Sequence, residues 1–344
     1  MPTVKENFMK ANEYVQPKSY IYTGEHKDVP THIVHYQISS DNVLESSTLP
    51  PHIEGKQYIQ VIGLSDVDAV FSIGKKYDID LLVIEDIFNV RQRNKIELFD
   101  DSLFGAFHLE YLEKNEVKKD YMSIFFKENI VISFHETNPA FLSGLKPVFE
   151  QGTEVRTRSI DYVFYLLLDV MTDHHLEIFE MLDEQSTMIE DMILSEKTIN
   201  QESFYMVRKE MLKLKNSVSP VLNHLEYVLR EKPKLIQRGN IGYFNDLLDH
   251  LNRLDNHLNQ SRELMRNLLD LQINNQSHKM NRIMTTLTLF SAIFIPLGFL
   301  TGFFGMNFVH FGILAYEHAL GLFVGFSVLL ALFMIILFKK MKWF

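Results

Sequence analysis

The sequence predicts an α+β cytoplasmic domain followed by long helices and two C-terminal transmembrane helices. Three observations carry this expectation. No Asp, Glu, Lys or Arg occurs from Ile283 to Tyr316, nor from His318 to Phe338, and each stretch exceeds the ~20 residues a bilayer-spanning helix needs. Strand-like runs are confined to the first ~155 residues, bounded by turn residues. From Ile160 onward Gly and Pro almost vanish, and apolar residues recur at three- and four-residue steps through Tyr162, Leu166, Val170, Leu176, Phe179 and Leu182.

Residues 1–157 form the α+β part. Its strand-like runs are Thr31–Tyr36, Tyr58–Ile62 and Leu103–Leu109, with a hairpin where Tyr121–Lys127 meets Ile130–His135 across Glu128-Asn129. Val67–Tyr77 and Asn138–Glu150 read as short helices. Residues 158–238 read as a helical hairpin, one helix to Leu194 and a second from Gln201 to Arg230, ended by Lys232-Pro233 and Gly239-Asn240. Residues 239–308 form a stalk helix continuous with the first span, starting near Ile241 with no stop before Gly305. Such a helix is on the order of 95 Å long, and only ~30 Å of it fits in hydrocarbon, so the rest projects as a stalk. A loop at 309–318, a second span at 319–338 and a basic tail at 339–344 complete the chain.

The chain carries 34 Lys+Arg against 44 Asp+Glu, a net charge of −10, and the acidic balance argues against nucleic acid as a partner. No cysteine is present, which excludes a disulfide framework, a thiolate metal site and a cysteine nucleophile. Met1–Asn7 contains no apolar run of the kind a secretory signal has, so insertion is expected to depend on the C-terminal spans. Lys279 and Arg282 precede the first span, and Lys339, Lys340 and Lys342 follow the second. The connecting stretch Phe308–His318 has neither Lys nor Arg. The positive-inside rule then puts both termini in the cytoplasm.

On a seven-residue repeat, one seam of the stalk helix is polar: Gln260, Asn267, Asn274, Asn281 and Thr288, beside Glu263, Asp270, Ser277, Met284, Ser291, Gly298 and Gly305. An ordinary coiled coil would place Leu or Ile there. A solvated face explains the first half of the seam. Inside the membrane no solvated face exists, so the small and weakly polar residues either pack helices closely or line a water path. The water path is preferred, and with one such helix per subunit it needs several subunits round an axis. Pro296 lies within the first span, where neighbours or water re-satisfy the freed carbonyl.

The first span ends in Gly305-Met306-Asn307-Phe308, preceded by Phe294-Ile295-Pro296-Leu297 and Thr301-Gly302-Phe303-Phe304, and the chain ends in Lys339-Lys340-Met341-Lys342-Trp343-Phe344. In this placement Gly-Met-Asn resembles the signature of the CorA family of divalent-cation channels. The likeness extends to Glu85–Glu97, where the family usually reads Arg-Pro-Lys at Arg93-Asn94-Lys95, to Tyr243–His250, and to Leu268-Leu269-Asp270. It implies a homopentameric, funnel-shaped channel in the plasma membrane, with the long helix lining the pore. Gly305, Met306 and Asn307 are then the selectivity filter. Asn281, Met284, Leu287, Ser291, Ile295, Gly298 and Asp270 are pore or gate positions, and the family often has Thr where Gly298 stands.

Mg²⁺ demands octahedral oxygen coordination and releases water reluctantly. A ring of Asn307 carboxamides accepts hydrogen bonds from the ion's waters without stripping them, and rings of Met284 and Leu287 close a path by dewetting. For Asn307 alone a helix cap is the plain alternative, and for Met284 and Leu287 it is packing. The resemblance also implies that Asp86 and Asp246 bind regulatory Mg²⁺ between neighbouring cytoplasmic domains, with Glu85, Asp173, Asp249 and His250 beside them. Asp246, Asp249 and His250 share a helical face. Singly each acid is an ordinary solvated carboxylate, and Asp86 fits an N-cap.

The loop departs from magnesium members. It lacks their Pro-Glu step, has Glu317 as its only acid, and carries His310 and His318, which opens the choice of Zn²⁺, Co²⁺ or Ni²⁺. The zinc-transporting branch shares Gly-Met-Asn; magnesium is preferred because lone interface histidines are commonly incidental. His174-His175 read as surface, since adjacent helical residues point ~100° apart. No phosphate-cradling Gly-rich loop is present, so transport is expected to follow the electrochemical gradient and no enzymatic activity is expected. A membrane-anchored sensor or scaffold is the rival from another class.

Overall fold

The computed structural model describes residues 20–50, 55–114, 116–138, 140–197, 199–231, 233–306, 312 and 316–341, without the side chains of Ala140, Phe141 and Ser143. Two compact units divide the chain, one ending at Met265 and the other beginning at Arg266.

In the first unit, strands β1 (His32–Ile38), β2 (Val43–Ser46), β3 (Lys56–Ile62), β4 (Lys95–Leu98), β5 (Ser102–Glu113), β6 (Glu116–Lys127) and β7 (Ile130–His135) form one seven-stranded sheet, in the order β2-β1-β3-β7-β6-β5-β4. All neighbours are antiparallel except β3 and β7, which run parallel with Gln57 opposite Ile130 and Ile62 opposite His135. Helices α1 (Val67–Lys76) and α2 (Leu81–Phe88) cover one face. There Val70, Ile73, Ile84 and Phe88 pack with Ile59, Val61, Phe104 and Phe125 of the strands. Side chains alternate across a strand, so Tyr58 stands on the opposite face. It stacks on Phe149 of α3 (Ala140–Gln151), with ring centroids 5.0 Å apart. Phe126 likewise meets Phe164 of α5 (Asp161–Leu194) at 5.7 Å. Helices on both faces explain why all six residues of β7 are buried.

Beyond α4 (Thr153–Thr157), α5 and α6 (Gln201–Glu231) lead to α7 (Ile241–Phe304), which is 64 residues long. The start of α7 is tied to the start of α5. The wholly buried Asp161 accepts hydrogen bonds from the Gln237 backbone N–H (2.9 Å) and from Asn240 Nδ2 (2.8 Å). The Arg158 guanidinium lies 4.5 Å over the Tyr243 ring. On α7, Leu247, Leu251, Leu254 and Leu258 are buried, which holds this part of the helix to the unit by area removed from water.

The second unit comprises the remainder of α7 and α8 (Ala319–Lys340). Both helices are long and apolar enough to cross a membrane, and little of either apolar stretch is buried. Phe304 meets Phe323 of α8 at 5.3 Å. Helix α7 runs through Pro296 without interruption.

The strand-like runs read from sequence fall on β1, β3, β5, β6 and β7, and the helical patterns on α1, α3, α5, α6, α7 and α8. Helices α2 and α4 and strands β2 and β4 were not foreseen. One expectation is corrected. His175 is not a surface residue but wholly buried, its Nε2 3.2 Å from Glu110 Oε2, whereas His174 pairs with Glu177 at 3.3 Å. The ~100° between neighbours on a helix that packs one face on a sheet sends one of the two inward. Burial alone would raise the Glu110 carboxyl. The adjacent His175 ring, Lys119 and the Ser217 hydroxyl outweigh it and hold Glu110 below the usual range.

Candidate ion pathway and metal-sensing positions

The polar seam of α7 lies on the helix's free side. Gln260, Glu263, Asn267, Asp270, Asn274, Ser277, Asn281, Met284, Thr288 and Gly298 are exposed and Ser291 is half-buried, while the leucines of the first half face inward. Among the apolar candidates Met284 is 54 % exposed, Leu287 60 % and Ile295 70 %. A Cβ on Gly298 or Gly302 would meet nothing within 4 Å, so that face is open to close approach by another helix or by water. Two hydroxyls of this stretch bond within the helix: Thr288 donates to Met284 O (2.8 Å) and Thr301 to Gly298 O (3.0 Å). Such back-bonding lets hydroxyls sit on an apolar helix without an unpaired donor.

Gly305 closes the helix. Its N–H donates to Thr301 O at 2.9 Å, and a Cβ there would lie 2.9 Å from that same oxygen, a contact that favours glycine. Met306 follows, 55 % exposed. Asn307, His310 and Lys342 lie outside the described residues. Lys339 and Lys340 are exposed in the last turn of α8, where cations complement the helix dipole.

The acids of the first unit fall into two groups. Glu85 and Asp86 stand in the last turn of α2, whose N-cap is Asp80, so Asp86 is not a cap. Asp86 Oδ2 accepts a hydrogen bond from Lys95 Nζ at 2.6 Å, and Lys95 also pairs with Glu97 at 3.0 Å. Burial alone would lower the Lys95 ammonium, but Asp86 and Glu97 hold it above its ordinary value. The second group gathers where α5 faces α7: Asp173 and Asp246 are exposed, and His250 is half-buried with Nε2 3.9 Å from Asp246 Oδ2. Asp169, which the sequence reading passed over, joins them. Burial, then the Asp173 charge and, more weakly, Asp246, push its carboxyl above the usual range against the pull of Tyr165 and His250. His250 Nδ1 is buried with no hydrogen-bond partner among the described residues. Asp249 is exposed on the same helix. The i, i+4 spacing of Asp169 and Asp173 was the available signal.

Among the described residues no three His, Asp or Glu side chains converge as a metal cage within one chain. Oxygen donors spread one or two at a time suit Mg²⁺, which keeps several waters and is held by one or two carboxylates.

Comparison with known proteins fits this geometry. The CorA-like Mg2+ transporter family model matches residues 62–340. The cobalt/magnesium transport protein CorA of Thermotoga maritima is 26 % identical over 351 aligned residues, covering 99 % of this chain and 100 % of that one. The zinc transport protein ZntB of Pectobacterium atrosepticum is 27 % identical over 141 residues, 41 % of this chain and 43 % of its own. The solved structure of the complete CorA magnesium transporter from Methanocaldococcus jannaschii matches with a TM-score of 0.76 at 18 % identity, covering 91 % of this chain and 98 % of that one.

Proposed function

Because the chain belongs to the CorA-like Mg2+ transporter family, we propose that it is a homopentameric Mg²⁺ channel of the plasma membrane, with both termini in the cytoplasm. The observation that carries this reading is the α7 seam, exposed at every position but the half-buried Ser291 and passing from Asn, Ser and acids into Ser291, Gly298 and Gly305 where the chain bears no charge. Five copies round an axis give that seam a wet interior, while the apolar remainder of α7 and α8 faces lipid.

Hydrated Mg²⁺ meets the Gly305-Met306-Asn307 ring, whose carboxamides hold its waters without binding it too tightly to release. Met284 and Leu287 form the dewetting constriction, and Asn281, Asp270, Ile295 and the basic tail of Lys339, Lys340 and Lys342 complete the path and its inner mouth. At ~2.3 kcal/mol per charge per 100 mV, an inside-negative potential drives a divalent ion inward. Regulatory Mg²⁺ neutralises Glu85 and Asp86 of one copy against Asp173, Asp246 and Asp249 of the next, with His250 beside them, and holds the ring closed. Its loss leaves the carboxylates of Asp173, Asp246 and Asp249 repelling one another and shifts the population toward open states.

Reconstituted uptake tests the reading, with Mg²⁺, Zn²⁺, Co²⁺ and Ni²⁺ in competition. Mg²⁺ uptake that Asn307→Ala abolishes, with assembly intact, is the expected result; an unaltered current removes the filter role from Asn307. Asp246→Lys is expected to weaken inhibition by internal Mg²⁺. Preference for Zn²⁺ or Co²⁺ would select the second reading, which the ZntB match and His318 favour. No flux at all would leave the membrane-anchored sensor.

A further inference from the structure

Asp86 does not meet a cation unopposed. The Lys95 ammonium, carried by β4, sits between Asp86 and Glu97, and the side chains of the Lys95–Asp86 pair are only 16 % and 27 % exposed. The Lys95 ammonium also lies 5.7 Å from the Phe104 ring centroid, which holds it in this place. Asp86 itself is anchored through its main chain, where its carbonyl accepts hydrogen bonds from Gln92 Nε2 (2.7 Å) and the Tyr121 hydroxyl (3.1 Å). Its carboxylate therefore moves by side-chain rotation alone. A divalent cation arriving at Asp86 has either to displace the ammonium or to share the carboxylate with a like charge. Glu97, less buried and already in contact with Lys95, offers the displaced ammonium a second carboxylate.

We propose that Lys95 is a built-in competing cation that sets the Mg²⁺ concentration at which the Asp86 position fills. The inference rests on the regulatory reading of Asp86 given above. When Mg²⁺ is scarce the ammonium neutralises Asp86. When Mg²⁺ is plentiful the ion takes the Asp86 oxygens and Lys95 falls back on Glu97. The site consequently answers to a higher Mg²⁺ concentration than its carboxylates alone would.

The test uses purified full-length protein stripped with EDTA, with Mg²⁺ titrated back and the response read as thermal shift and protection from limited proteolysis. Lys95→Met keeps the length of the side chain and its packing on Phe104. Removing a charge-assisted hydrogen bond of this kind is expected to lower the half-maximal Mg²⁺ by about tenfold or more. Lys95→Arg keeps the charge and is expected to stay near the parent midpoint. Glu97→Gln removes the alternative carboxylate and is expected to raise the midpoint, which decides the matter if Lys95→Met does not fold. A midpoint that Lys95→Met leaves unchanged or raises, while Asp86→Asn weakens the response, overturns the competing role alone. Should Lys95→Met not fold, a midpoint unmoved or lowered by Glu97→Gln does the same. An Asp86→Asn protein with the parent response overturns both the regulatory reading of Asp86 and this inference.

Discussion

The two halves of α7 treat their apolar residues in opposite ways. Leu247, Leu251 and Leu254 are entirely buried in the first unit, whereas Ile295 and Phe299 in the second are each 70 % exposed. One helix thus carries two solvents' worth of design. The first half buries leucines against its own chain, and its polar residues face outward. The second half leaves many of its large side chains uncovered, as only lipid or further protein makes tolerable. Hydrophobicity alone does not say where a side chain goes; what covers it does.

The largest expected effect breaks this contrast at its buried end. Leu251→Ala removes a wholly buried side chain and is expected to destabilise the first unit by about 2–5 kcal/mol. Leu287→Ala is expected to leave that unit's unfolding within about 0.5 kcal/mol and to act on conduction instead. Urea unfolding of the two proteins in detergent checks the pair, and equal losses would abolish the distinction. An intermediate effect sharpens the contrast through pH. His135 lies wholly buried beside Ser133, and burial pushes its pKa down to about 3. An unfolded histidine takes up a proton below about pH 6.5 that the folded one refuses until far lower. Stability is therefore full above that pH and falls by up to ~1.4 kcal/mol per pH unit below it. His135→Gln is expected to flatten the stability profile between pH 6.5 and 5, measured by the same unfolding experiment. A slope unchanged from the parent would assign the acid sensitivity elsewhere.

Long periodic segments were legible because their pattern repeats. The 64 residues of α7 show a seam and a buried stripe that no short window could hide. Helix α2 escaped notice because Leu81-Leu82-Val83-Ile84 is a continuous apolar run without a period. Only Asp80, accepting from the Leu82 N–H at 2.8 Å, and the sheet beneath define it. Strands β2 and β4, four residues each at the two sheet edges, are short hairpin arms on β1 and β5, too brief to display an alternation of their own. The burial of His175 is a different case, since its partner Glu110 comes from a strand 65 positions earlier. The candidate site is proposed from motifs. Motifs do not reveal that Lys95 already occupies Asp86, or that Asp169 joins the carboxylates near Asp246.

The parallel pairing of β3 with β7 has a consequence for how the chain comes to be folded at all. The two strands are separated by on the order of 70 residues, which a ribosome adds at ~5–20 per second. Strands β1 and β2 join the sheet only through β3, so for several seconds the nascent chain holds an unfinished three-stranded edge. That edge is apolar on β3, and it is sealed only when Ile130–His135 arrives. The membrane segments are synthesised later still, so the sheet has time to close before the spans enter the bilayer.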